Sequence, residues 1–212
     1  MYINKSLKEY GEQVASNSSM PGGGSVAGLV SSLGGALTLM VMSLTQDKKA
    51  FKELDKSIQT DMLEKSKKIE TLREELDLIV DEDTKAFNSV LESFRLPNNT
   101  EEEKETRKNS IKEGYKKALS VPLRCMELSL EILRNQKIFA VNGNPGLITD
   151  VGIGSILTYS AMESSKLNIL INLREISDEE YKREIEDRIS NNMKMGREYK
   201  DEILKIVYGL IE

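Results

Sequence analysis

Between Glu12 and Asp47 the chain carries no charged residue, although 31% of all its residues are charged. A run of that length and apolarity must be covered by something other than water. Its centre reads Met20-Pro21-Gly22-Gly23-Gly24-Ser25-Val26-Ala27-Gly28. Pro21 and the glycines end whatever precedes them, because proline cannot extend a helix behind it and glycine costs backbone entropy inside one. After Ser25 nothing breaks a helix strongly until Asp47. Gly24, Gly28, Ser31 and Gly35 recur at helical spacing and share one face, where their small size lets another backbone approach closely. The stretch therefore predicts a central, buried helix entered through a glycine loop.

Two other readings compete. Val26–Leu44 is long enough to cross a bilayer. However, seven of its nineteen residues are Gly, Ser or Thr, and Lys and Arg show no asymmetry across the chain. The loop could cradle a phosphate, but it lacks the Lys-Ser/Thr pair of a P-loop, and no strand-like run precedes it. What remains is the general property of a helix N-terminus: exposed N–H groups that favour an anionic or carbonyl-bearing ligand.

With 212 residues, a single domain spanning 1–212 is the default. Short β-branched runs are scarce, so an all-α bundle is expected. A net charge of −5 and a lack of tryptophan argue against nucleic-acid binding, which needs a basic footprint or stacking platforms. The single cysteine, Cys125, and the absence of a secretory pattern at the start fit a cytoplasmic protein. The chain has no histidine. That excludes Ser-His-Asp and Cys-His catalysis and every histidine-containing zinc site, and one cysteine cannot form a thiolate cage. Any acid–base chemistry near neutral pH must come from a carboxylate of raised pKa, or from Lys, Tyr or Cys125.

Leu7, Tyr10 and Val14 mark a short amphipathic helix. Phe51, Leu54, Ile58, Met62 and Ile69 mark the apolar side of one or two more. Ile69, Leu72, Leu76, Val80, Asp83, Phe87, Val90 and Phe94 then follow at steps of three and four, forming one stripe with Asp83 among apolar neighbours. Asp77, Asp81 and Lys85 are expected on the opposite, solvated side. An aspartate in a core stripe is either paired with a buried cation or is a proton-transfer group whose pKa burial has raised. Arg95 to Thr100 reads as a turn with a Thr100/Glu103 capping box. A break is expected at Pro122. Met126, Leu130 and Leu133 face the core, and Cys125 packs as a small apolar residue. Asn142 to Gly146 is a second turn. It opens a second sparsely charged helix, with Thr149 or Asp150 as its natural N-cap, that carries Asn168 and Asn172 on one face. Two nearly uncharged central helices among charged amphipathic ones leave two options: both are interior, or one is covered by a second subunit in a homodimer.

Pro21-Gly22-Gly23-Gly24-Ser25, Asp81-Glu82-Asp83-Thr84-Lys85-Ala86-Phe87, Arg95-Leu96-Pro97, Ser120-Val121-Pro122-Leu123 and Asn168-Ile169-Leu170-Ile171-Asn172-Leu173 occur in that order. Taken together, they resemble the cyclodeaminase/cyclohydrolase family, and the likeness covers nearly the whole chain. The resemblance implies an all-helical homodimer acting on a tetrahydrofolate that carries a one-carbon unit, with no metal, no redox cofactor, no nucleic acid and no membrane. Two activities are implied. One is closure of 5-formimidoyl- to 5,10-methenyl-tetrahydrofolate with release of ammonia; the alternative is interconversion of 5,10-methenyl- and 10-formyl-tetrahydrofolate with water. A helical dimer that only binds folate is a further alternative. The family's catalytic aspartate falls in the Asp81–Phe87 motif, where the stripe selects Asp83. By the same resemblance, Pro21, Gly22, Gly23, Gly24 and Ser25 would lie against the folate. Asn144, Thr149, Asp150, Asn168 and Asn172 would bind substrate, and Lys48 would meet its glutamate tail.

Overall fold

The computed structural model describes residues 1–212 and is built from helices alone. In chain order they are α1 (Leu7–Val14), α2 (Gly23–Ser43), α3 (Lys49–Lys52), α4 (Lys56–Phe94), α5 (Glu101–Asn142), α6 (Ile148–Leu173) and α7 (Glu179–Ile211). Short 3-10 turns occupy Tyr2–Asn4 and Pro145–Leu147. Local chemistry sets several boundaries. Ser6 with Glu9 and Thr100 with Glu103 form reciprocal capping boxes, and Asp178 accepts the Tyr181 N–H at 3.2 Å. The first turn of α6 is an exception: the residue before it is Leu147, which cannot cap, and Asn144 instead caps the 3-10 turn ahead of it. Thr149 and Asp150 are thus inside the helix rather than at its cap.

The two uncharged helices run antiparallel in contact. Gly23 of α2 lies beside Asn168 of α6, and Gly34 lies against Gly154 and Thr158. α4 and α5 form an antiparallel hairpin whose turn end is held by Ser93 Oγ donating to the Ser110 carbonyl at 3.2 Å. α5 passes beneath the α2–α6 pair. Ser129 Oγ donates to the Cys125 carbonyl, so the Ser31 hydroxyl donates to Ser129 Oγ at 2.8 Å. Gln136 Nε2 reaches Thr38 Oγ1 at 2.9 Å. α7 closes the far side of α6, with Val207 over Gly152 and Met162 under Gly196.

Pro122 does not break α5, which continues through it. An interior proline costs about 3 kcal/mol. Here Leu119, Leu123 and Met126 are all buried against α6 and α7, at roughly 1.5–3 kcal/mol for each such side chain, so packing prevails. The α4 stripe is also interrupted, because Phe87 and Phe94 are exposed while the aliphatic positions around them are buried. Neither uncharged helix is wholly interior. α2 buries its glycine and serine side, but Leu33, Met40 and Leu44 of its other side face solvent. On α6 the same holds for Ile153, Ile156, Leu167 and Ile171.

A Cβ added at Gly34 would lie 2.7 Å from the Gly154 carbonyl oxygen and 2.4 Å from Thr158 Oγ1, so α2 and α6 would have to separate. Gly34→Ala is expected to lower stability by about 1–3 kcal/mol, read as a fall in Tm. Gly209→Ala, where nothing lies within 4 Å, should stabilise α7 slightly instead, by about 0.5–1 kcal/mol.

Candidate functional site

α4 delivers Asp83 to the N-terminus of α2. The Ser25 backbone N–H donates to Asp83 Oδ2 at 3.1 Å, using one of the donors that a helix start leaves unpaired. The carboxylate lies so close over Gly24 that a Cβ there would fall 2.0 Å from Oδ1. Only glycine at this position allows the contact. Burial pushes the Asp83 pKa up, and the Ser25 hydrogen bond pulls it down less strongly. No Lys or Arg pairs with it, which removes the buried-ion-pair reading of this residue.

The loop under Asp83 is held from behind. Ser25 Oγ donates to the Val80 carbonyl at 2.7 Å, so the Tyr10 hydroxyl must be the donor in its 2.9 Å contact with Ser25 Oγ. Burial raises the pKa of Tyr10, which keeps its proton available for that bond. Asp81 is not on a solvated face. It is buried and accepts backbone N–H groups from Tyr2 at 2.6 Å and Ile3 at 3.4 Å, because the 3-10 turn Tyr2–Asn4 folds back over α4.

Asp83 opens into a cleft of about 330 Å³. Ser19, Met20, Gly22 and Gly23 form its wall from the loop before α2, while Thr84 and Phe87 continue it on α4 and Tyr115 and Ala118 on α5. The fourth wall is one face of α6, carrying Asn168, Ile171 and Asn172, together with Glu175 in the turn just past its end. Each asparagine donates Nδ2 to the carbonyl one turn earlier, Ser164 at 2.9 Å and Asn168 at 2.7 Å, which fixes the amide planes. Phe94 braces Tyr115 edge-on, with ring centroids 6.4 Å apart. Burial and then the Glu175 charge raise the Tyr115 phenol pKa.

Of the sequence-predicted residues, Gly22, Gly23, Asp83, Asn168 and Asn172 line this cleft. Gly24 and Ser25 touch Asp83 from below, and Pro21 is buried in the turn. The others lie elsewhere. Lys48 and Asn144 border a separate depression of about 210 Å³ beyond the far end of α2, and Thr149 and Asp150 sit in the first turn of α6 beside it. The 21 residues of α2 separate the two ends by roughly 30 Å. Within one chain these four residues cannot reach a ligand at Asp83. Tyr10, Tyr115 and Glu175 were not anticipated as site residues. Glu175 had a signal in sequence, three residues beyond Asn172 and just past the end of α6, whereas Tyr115 had none. No group of three or more Cys, Asp or Glu side chains converges anywhere as a metal site. Cys125 is buried, and its thiol pKa is pushed up to about 11.

Residues 6–191 match the family model described as formiminotransferase-cyclodeaminase. The chain is 34% identical to a methenyltetrahydrofolate cyclohydrolase of Methylorubrum extorquens, over 85% of each chain. It is 31% identical to the formimidoyltransferase-cyclodeaminase of Gallus gallus over 92% of this chain, but spans only 36% of that protein. Its fold superposes on the crystal structure of a formiminotetrahydrofolate cyclodeaminase from Thermotoga maritima with a TM-score of 0.87 and 25% identity, covering 99% of this chain and 98% of the other.

Because the folded state raises the Asp83 pKa, between the ordinary carboxylate range and that raised value the native protein holds a proton there that the unfolded chain has released. Stability contributed by that proton is present at acid pH and falls as pH rises from the ordinary carboxylate range through the raised value. Asp83→Asn, which keeps an acceptor for the Ser25 N–H, should therefore raise Tm at neutral pH and flatten this part of the pH–stability curve, as calorimetry would show.

Proposed function

Because this chain belongs to the formiminotransferase-cyclodeaminase family, we propose that it converts 5-formimidoyl-tetrahydrofolate to 5,10-methenyl-tetrahydrofolate and ammonia, with Asp83 as the proton carrier. The observation that carries this reading is the histidine-free cleft, lined by no Lys or Arg, with a partly buried carboxylate of raised pKa against the helix N-terminus. In this mechanism N10 attacks the amidinium carbon as the Asp83 carboxylate takes the N10 proton. The C–N10 bond forms, and the amidinium nitrogen becomes an amine on a tetrahedral carbon. Asp83 then returns the proton to that amine, the C–N bond breaks, and ammonia leaves behind the methenyl cation. A carboxylate serves both steps only if its pKa lies between those of an ordinary acid and of the amine, which is the direction burial supplies. The chain's own residues suffice for this cycle without a cofactor.

The remaining groups support the same pose. Phe87 and Tyr115 offer aromatic surface to a ring, and the Asn168 and Asn172 amides offer acceptors and donors to the pterin. The glutamate tail would meet Lys104, Lys108 and Lys112, which border a depression adjoining the cleft at Glu175, rather than Lys48 of the same chain. A second reading, the cyclohydrolase, is favoured by the Methylorubrum extorquens relative, matched over most of both chains. There Asp83 would take a proton from water attacking the methenyl carbon and deliver it to N5 as the C–N5 bond breaks, while the remaining hydroxyl proton leaves to solvent as the formyl C=O forms.

The two readings are separated by following the absorbance of methenyl-tetrahydrofolate. Its formation from the formimidoyl substrate supports the cyclodeaminase, whereas its hydrolysis alone supports the alternative. Folate binding without turnover of either would reject both in favour of a binding protein. Asp83→Asn should lose about 10²–10⁴-fold in kcat. Gly24→Ala, which displaces the Asp83 carboxyl, should cut kcat with less effect on KM. The acid limb of the wild-type kcat–pH profile should lie above the ordinary carboxylate range.

A further inference from the structure

We propose that the Thr84 hydroxyl binds the substrate, accepting a hydrogen bond from the heteroatom exchanged at the one-carbon unit, which is the departing nitrogen in the deaminase reaction. Thr84 is only 9% exposed, yet its Oγ1 meets no donor or acceptor of the protein. Other hydroxyls of α4, those of Thr60, Thr71, Ser89 and Ser93, donate to the carbonyl one turn back at 2.9 to 3.2 Å. For Thr84 that carbonyl belongs to Val80, and both of its lone pairs are taken. One receives the Thr84 N–H in the ordinary helical bond, and the other receives Ser25 Oγ at 2.7 Å. The contact that ties α2 to α4 behind Asp83 thus strips Thr84 of its usual acceptor. A buried hydroxyl left without a partner destabilises the protein that carries it, and a ligand can relieve that cost.

Position tells what kind of ligand group serves this hydroxyl. Thr84 lines the cleft between Asp83, its neighbour in the chain, and Phe87, about one turn further along α4. Of the buried side-chain atoms that lack a partner, Thr84 Oγ1 alone belongs to a residue of the cleft. Its oxygen is covered from bulk water, so a small polar group pressed against the α4 wall reaches it more readily than the edge of a ring. The one-carbon unit carries such a group at the atom that Asp83 protonates. When the amine on the tetrahedral carbon takes the Asp83 proton, it becomes an ammonium whose N–H groups need acceptors. An oxygen on the residue next to Asp83 supplies one and holds the nitrogen with its lone pair toward the carboxyl. That bond strengthens as positive charge develops, so it favours the transition state over the bound substrate. In the cyclohydrolase reading the same oxygen would accept one O–H of the attacking water while Asp83 takes the other proton.

The identity of the bound atom rests on the folate reading above; the unused hydroxyl does not. Thr84→Val keeps the shape of the side chain and removes the hydroxyl. In the ligand-free protein it should raise Tm by about 2–4 °C, because a buried group without a partner is gone. A hydroxyl already served by the protein or by a fixed water would leave the variant less stable, so a fall in Tm overturns the proposal. With whichever folate substrate the wild type turns over, Thr84→Val should lose about 10–100-fold in kcat while KM stays within about twofold. Thr84→Ser, which restores the oxygen without the methyl group, should regain most of that loss even though its Tm is lower than that of Thr84→Val. Unchanged kcat in Thr84→Val, or a Thr84→Ser variant as slow as Thr84→Val, overturns the role at the reacting atoms. A loss confined to KM overturns it as well, because the hydroxyl would then serve a part of the substrate that does not react. If the wild type turns over neither folate substrate, that role falls with the functional reading, while the Tm comparison still decides whether the hydroxyl is unused.

Discussion

The fold depends on how closely α2 approaches its neighbours, and that approach depends on missing side chains. Gly28 admits Ile79 and the Leu76 carbonyl of α4, Gly34 admits the backbone of α6, and Gly24 admits a carboxylate. Helices in such contact leave little space between them, so buried hydroxyls are satisfied across the gap, Ser31 with Ser129 and Ser25 with Val80. A leucine-rich helix in the same place would sit further out and present neither its N-terminus nor its Ser25 N–H to Asp83. In this helix the requirements of packing and of the site coincide at the same residues.

Much of this architecture can be read from the residues. Capping boxes at Ser6 and Thr100, the stripe on α4 and the low charge of α2 and α6 are local signals, and local signals survive folding. The glycine spacing of α2 anticipates close contact along one side. What periodicity cannot register is contact between segments far apart in sequence. Asp81 and Asp83 differ by two positions, so a helical wheel puts them on opposite faces, and solvent is the default for one of them. The chain instead folds Tyr2–Asn4 back over that side, a tertiary event with no periodic trace. The Pro122 expectation fails for a related reason, since a local rule was outweighed by burial on two neighbouring helices.

The candidate site divides in the same way. Residues on one helical face or in one loop, Gly22, Gly23, Asn168 and Asn172, come together as expected, because short-range geometry determines them. Lys48, Asn144, Thr149 and Asp150 come from the same family resemblance but stand a helix length away. A motif records which residues occur together in a family and carries no information about the distance between them in the fold. Tyr115 and Tyr10 escape notice because an aromatic residue on an apolar stripe looks alike whether it fills a core or borders a cavity.

The two aspartates of α4 show how a fold sorts identical side chains. Asp81 is enclosed by the first residues of the chain and receives two backbone donors, while Asp83 receives one and keeps an open side toward the cleft. The supply of main-chain N–H groups thus separates a carboxylate that anchors structure from one left with coordination to spare. A reactive group of this kind is defined by incompleteness: its environment lacks one partner, and a ligand can take that place.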